Sequence, residues 1–195
     1  MDPVKFVSIK RKKDNMELKE AMFKRRSIRK FDSKKVKEED IDLLLHYAMA
    51  GPSACNRRPW EFFVVTNQEV LEKLRRSARF SNIIAPLAIV VCGNMKKALP
   101  LHLQDYWIQD CSAAMENILL GATSLNLGAC WVGVLPQKRP VERVKTILSM
   151  ENHIVPLGIA FIGYPLENPE ARDQYDIAKV HIINNPLSKQ SKTGQ

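Results

Sequence analysis

Apolar residues recur at helical spacing in five stretches of the chain and gather in shorter extended runs between them. Met16, Leu18, Ala21, Met22 and Phe23 predict a first helix that ends near Arg25. Within residues 38–50, Ile41, Leu44, Leu45 and Ala48 share one helical face, and Gly51-Pro52 stops the helix. Residues 68–78 and 140–148 read as two more helices, the latter opening on Pro140, where a missing N–H is harmless. The longest helix, residues 103–125, is apolar around most of its circumference. Leu103, Trp107, Cys111, Ala114, Ile118 and Ala122 lie on one side, and Tyr106, Ala113, Met115 and Leu120 lie elsewhere. A helix of that kind must be covered on nearly all sides, by the core of its own chain or by a partner subunit that its small residues Ser112, Ala113 and Ala114 would admit.

Residues 62–65, 87–92 and 153–162 are short, β-branched or aromatic runs that predict strands. Residues 129–135 read as a strand or an extended loop, residues 165–176 as a loop broken by Pro165 and Pro169, and residues 177–183 as a final strand. Helices and strands mix without strict alternation, which predicts an α+β fold. The length suits one domain, expected over residues 15–188, with a flexible basic arm at 1–14 and a disordered tail at 189–195.

Charge sharpens this picture. The net charge is +9, and residues 1–40 hold fourteen Lys/Arg against eight Asp/Glu. Such an arm could bind nucleic acid or an anionic surface, but only Phe6, Phe23 and Phe31 are aromatic there, without the interleaving of a single-strand binder. The longest apolar run, 83–93, is too short to cross a bilayer, and the opening Met-Asp-Pro lacks the apolar stretch of a secretory signal. Cys55, Cys92, Cys111 and Cys130 and the four histidines have no metal-ligand spacing, so reduced thiols in a cytoplasmic protein without a metal are expected.

Three segments could carry chemistry. Arg25-Arg26-Ser27-Ile28-Arg29 concentrates three guanidinium groups and a hydroxyl, the donor set that holds a phosphate, although a run of this kind can equally be a solvated basic face. In residues 51–60, Pro52 and Pro59 stiffen a connection in which Ser53 and Asn56 can read the edge of a planar heterocycle. In residues 125–133, Asn126 and Gly128 can take positive φ at the end of the long helix, and Gly133 lets the backbone approach a ligand. No Gly-x-Gly-x-x-Gly and no Walker-type loop occurs, so arginines would have to do that work for a bound nucleotide.

These three segments, in this order and at these separations, resemble the FMN-dependent nitroreductase family. Residues 107–117 resemble its central helix, and Gly163-Tyr164-Pro165-Leu166-Glu167 resembles a late motif, so the likeness spans about residues 16–185. It implies an α+β sandwich with a central, mostly antiparallel sheet and an intertwined homodimer with FMN at the subunit interface. It further implies that Arg25, Arg26, Ser27 and Arg29 contact the phosphate, ribityl chain and pyrimidine edge, with Arg172 as a later phosphate ligand. Pro52, Ser53 and Asn56 would come from the other subunit. The loop of Cys130, Trp131, Val132 and Gly133 would lie along the flavin, with backbone N–H of Val132 and Gly133 near N5. Arg58 stands where the family commonly has glutamine, and either adds positive charge near the pyrimidine or swings into solvent.

The implied activity is electron transfer from NADH or NADPH through FMN to a nitroaromatic, quinone or similar electron-poor acceptor. It would follow ping-pong kinetics with no protein acid, base or nucleophile. Reductive dehalogenation or flavin fragmentation on the same fold is the alternative, and a basic nucleic-acid-binding module the minor one. Arg75, Arg76, Arg79, Lys96 and Lys97, in the region where dehalogenating relatives carry a lid, suggest an anionic substrate.

Overall fold

The computed structural model describes residues 16–183, so the predicted basic arm and tail lie outside the described residues. In chain order the elements are α1 (Leu18–Lys24), α2 (Glu38–Met49), β1 (Trp60–Val65), α3 (Gln68–Arg75), β2 (Leu87–Asn94), α4 (Tyr106–Ser124), β3 (Gly128–Gly133), α5 (Lys138–Ile147) and β4 (Ile154–Gly163). Short 3-10 turns occupy Ala54–Asn56, Leu101–Leu103 and Ile177–Lys179.

Every residue of β2 is buried because helices cover both of its faces. Leu87, Ile89 and Val91 join a core with α2 and α4, whereas Ala88, Val90 and Cys92 join a second core that includes α3 and α5. The four strands form one sheet in the order β1-β2-β4-β3, with every pairing antiparallel. The β2–β4 register shifts between Val91 and Cys92, and Pro156 lies opposite Cys92 at that irregularity, where a strand tolerates a residue that cannot donate to the ladder.

Most of the apolar circumference of α4 is covered within the chain: Trp107, Cys111, Ala114, Met115, Ile118, Leu119 and Ala122 are buried among β1, β2, β4 and α2. That meets much of the demand the sequence pattern raised. Tyr106, Gln109, Ser112, Ala113 and Glu116 stay wholly or partly open.

Several boundaries differ from the sequence expectation. The long helix begins at Tyr106 because residues 101–103 wind as a 3-10 turn with Leu101 at φ 55°. Helix α3 stops at Arg75 rather than 78. There the hydroxyl of Ser77 donates to the Leu74 carbonyl (2.7 Å) and that of Ser81 to the Arg75 carbonyl (2.8 Å), taking acceptors that another turn would need. Residues 177–183 are not a strand. The Asp176 carboxylate accepts the Ala178 N–H (3.0 Å) and starts a 3-10 turn, and the segment pairs with neither sheet edge among the described residues. Asn126 takes the predicted positive φ (58°), but Gly128 does not. Its requirement is space, since a Cβ there would lie 2.8 Å from the Ile28 side chain.

Candidate functional site

Helix α1 ends at Lys24, and from Arg25 the chain runs extended past β3. The N–H of Ile28 donates to the Ala129 carbonyl (3.0 Å), and Ile28 is buried against Gly128. With Ile28 anchored inward, its neighbours Ser27 and Arg29 are exposed. Residues 164–167 lie beside the same segment: Asp32 N–H donates to the Tyr164 carbonyl (2.9 Å) and Leu166 N–H to the Lys30 carbonyl (2.9 Å). Glu167 Oε1 accepts the N–H of Arg29 (2.6 Å) and of Lys30 (3.3 Å). The Gly-Tyr-Pro-Leu-Glu segment therefore holds the basic cluster in place.

The chain then returns. Arg172 N–H donates to the Phe23 carbonyl (3.1 Å), and Arg26 Nη1 donates to the Glu170 carbonyl. The result is a polar cavity of about 330 Å3 lined by Met22, Arg25, Arg26, Ser27, Arg29, Arg172 and Gln174. Four guanidinium groups and a hydroxyl face it, and no carboxylate lines it. Arg25 Nε is steadied by Glu116 on α4 (3.3 Å). This donor set fits the phosphate of a mononucleotide, which needs several charge-assisted donors and a lining in which cations outnumber acids.

Strand β3 is the sheet edge next to this cavity. The Ala129 carbonyl points away from β4, toward Ile28, whereas Val134 N–H donates to Leu157 on the β4 side (3.1 Å). Antiparallel alternation then commits the N–H groups of Cys130 and Val132 to the ladder and turns those of Trp131 and Gly133 to the free edge. Of the two predicted backbone donors, Gly133 therefore has the available N–H. Trp131 is 37% exposed, and its indole lies across Gly158, where a Cβ would come within 2.4 Å of Nε1. The Cys130 side chain is buried, and that burial pushes its thiol up despite the nearby Arg29. Its N–H is committed to the ladder as well, so neither the thiol nor the N–H of Cys130 is left for a ligand.

The turn at 51–60 is built separately. Buried Asp110 of α4 accepts the Ala54 N–H (2.8 Å), and Ser53 Oγ accepts the Arg58 N–H (3.0 Å). These bonds hold Cys55, Asn56 and Arg58 at φ of 49°, 52° and 47°, a left-handed conformation that side chains resist. Asp110 and Glu116 stand six residues apart on α4, so their side chains project about 120° apart and about 9 Å along the axis. None of Pro52, Ser53, Asn56 and Arg58 lines the arginine cavity. One chain thus brings together Arg25, Arg26, Ser27, Arg29 and Arg172 beside β3, and presents the 51–60 turn on a different face of the same helix.

Comparison with known proteins decides what this arrangement belongs to. The nitroreductase family model matches residues 22–86 and 83–164. A Methanothermobacter thermautotrophicus protein named "Putative NADH dehydrogenase/NAD(P)H nitroreductase" is 43% identical over 180 residues, covering 90% of this chain and 92% of its own. The chain belongs to the nitroreductase family. Among solved structures of similar proteins, one from Parabacteroides distasonis bearing that same name superposes with a TM-score of 0.80 at 36% identity, covering 85% of this chain and 96% of its own. An "FMN-dependent Nitroreductase" from Clostridium difficile gives a TM-score of 0.76 at 33% identity, covering 85% of this chain and 98% of its own.

In this nitroreductase-family chain, sequence reasoning missed the residues that position the others. Glu116 steadies Arg25, Glu167 clamps the 29–30 backbone and Asp110 fixes the strained turn. Asp110 and Glu116 carried a signal, two acids on a mostly apolar helix, whereas the role of Glu167 becomes legible only once the chain is folded. Among the described residues no group of three His, Cys, Asp or Glu could hold a metal ion, and no helix is long and apolar enough to cross a membrane.

Proposed function

We propose that this nitroreductase-family chain binds FMN and takes electrons from NADH or NADPH, passing them to a nitroaromatic, quinone or similar electron-poor acceptor. The observation that carries the reading is the convergence of Arg25, Arg26, Arg29 and Arg172 on one cavity at the free edge of β3. Bound FMN would supply the redox chemistry, accepting a hydride equivalent and delivering two electrons. The chain's own residues hold and orient. The four arginines and Ser27 would bind the phosphate and ribityl chain, and the free N–H of Gly133 offers a hydrogen bond to the reactive edge. Trp131 and Gly133 leave an open surface beside that donor for the two reactants in turn.

The working form is a homodimer in this reading. Pro52, Ser53, Asn56 and Arg58 of a second copy would complete each site, because within one chain their turn and the cavity occupy different faces of α4. The partly open strip of α4 from Tyr106 to Glu116 is the surface across which two copies would meet. No side chain is assigned as acid, base or nucleophile.

Steady-state kinetics test the reading. Double-reciprocal plots with NAD(P)H and a quinone should give parallel lines, as expected of one site used alternately. Intersecting lines contradict the shared site, and absence of turnover with every nitroaromatic and quinone tried contradicts the activity.

A further inference from the structure

Apart from Lys73 on α3, the basic residues of the region 57–97 divide into two groups. Arg75 and Arg76 both pair with Glu72 at 2.7 Å, and Arg79 lies over Phe80, so that set is occupied locally. Arg57, Arg58, Lys96 and Lys97 form a second set. Arg57 Nε donates to the Lys97 carbonyl (2.9 Å), and Asn94 N–H donates to the Pro59 carbonyl (2.7 Å), which locks the 57–60 and 94–97 segments side by side. All four side chains are exposed. Among the described residues the acid bonded to this set is Glu61, whose Oε1 is taken by Asn94 Nδ2 (2.5 Å) and Lys97 Nζ (3.2 Å). Arg58 and Lys96 have no carboxylate within ion-pair distance among the described residues. Four cations against one acid leave a net positive rim, and the backbone strain at Arg58 is held by Ser53 Oγ rather than relaxed.

We infer that Arg57, Arg58, Lys96 and Lys97 form a recognition rim for an anionic group, a carboxylate, sulfonate or phosphate, carried by the acceptor. The inference rests on the proposed function, in which the 51–60 turn borders the flavin site. A compact positive rim raises the local concentration of an anionic reactant and orients its charged end away from the redox centre. The reaction balances without a further reagent: a quinone takes up two electrons and two protons, as one hydride equivalent from NAD(P)H and one proton from solvent.

The test compares 1,4-naphthoquinone-2-sulfonate with neutral 2-methyl-1,4-naphthoquinone, using the FMN-loaded full chain and its Lys96→Gln/Lys97→Gln variant. Neither lysine is assigned to the FMN site. In the variant, kcat/KM for the sulfonate should fall about tenfold while the neutral quinone stays within about twofold, as expected for removing two surface charges near an anion. In the unaltered protein the sulfonate's advantage should shrink as ionic strength rises from about 0.02 to 0.5 M. An equal effect on both quinones, or none on either, overturns the inference. A loss confined to NADPH over NADH assigns the anion to the donor's extra phosphate and overturns the acceptor assignment. If the unaltered protein reduces neither quinone, the underlying oxidoreductase reading fails, an outcome distinct from a protein that reduces both without preference.

Discussion

The main-chain N–H of Arg172 donates to the carbonyl oxygen of Phe23 at 3.1 Å, seating a residue from the far end of the chain beside the end of α1. Through that bond a fourth guanidinium joins the cluster formed by residues 25–29. Because the bond uses backbone atoms, replacing the Arg172 side chain leaves the seating intact and removes only the charge. Arg172→Ala and Arg25→Ala should each weaken FMN binding roughly 10- to 100-fold, the worth of one charge-assisted hydrogen bond to a phosphate. Titration of the apoprotein followed by flavin fluorescence checks this, and unchanged affinity in both variants contradicts the phosphate role.

Glu167 acts on the site through backbone it holds. Its Oε1 accepts two N–H groups from the 29–30 segment, a role an amide oxygen can also fill. Glu167→Gln should keep FMN affinity within a few-fold. Glu167→Ala should leave those donors unpaired, lower unfolding stability by about 1–3 kcal/mol and weaken FMN binding. Chemical denaturation and flavin titration on the same pair of variants separate the two effects.

Asp110 holds the strained turn in the same indirect way. Asp110→Asn retains an acceptor for the Ala54 N–H, whereas Asp110→Ala frees residues 55–58 to leave their left-handed conformation. The alanine variant should lose FMN affinity and turnover, and the asparagine variant should recover most of both. Failure of asparagine to rescue would show that the carboxylate charge, not the hydrogen bond, matters.

How far the sequence disclosed this arrangement depends on where each signal lies. The helices with clear periodicity were legible, as was the buried run of β2, because local pattern and global burial agree there. The 177–183 segment misled because Ile177, Val180, Ile182 and Ile183 look like a strand but remain exposed with no ladder to join. The arginine cluster was visible as composition, but its convergence with Arg172 depends on a backbone bond across most of the chain. The requirement at Gly128 was misassigned to φ, since the closeness of Ile28 is a tertiary fact that no local window holds.

That closeness is itself testable. A Cβ at residue 128 would lie 2.8 Å from Ile28 Cβ, closer than packed carbon atoms approach. Gly128→Ala should therefore cost about 1–3 kcal/mol of stability. Ile28→Ala in the same chain keeps Cβ but removes the Cγ2 atom that the new Cβ would also meet at 2.8 Å, so it should recover only part of that loss, which a double-mutant cycle by thermal or chemical denaturation measures.

The buried thiols predict an alkaline limit. Burial raises Cys111 from its ordinary value near 9 to about 12, and pushes Cys92 up as well. The folded state therefore keeps protons that the unfolded chain releases. The stability tied to these thiols is complete below the ordinary thiol range and is lost as pH rises from about 9 toward 12. Cys111→Ala should flatten that decline between pH 9 and 12, and in the native protein only Cys55, the one exposed cysteine, should react promptly with a thiol reagent.

The central claim is that the arginine cavity holds the phosphate of FMN. The most direct measurement is the stoichiometry and affinity of FMN on the purified chain, set beside riboflavin, which lacks only that phosphate. About one FMN per chain, bound far more tightly than riboflavin and with that preference collapsing in Arg25→Ala, is the predicted result. Failure of the protein to take up FMN, or equal affinity for FMN and riboflavin, would contradict it.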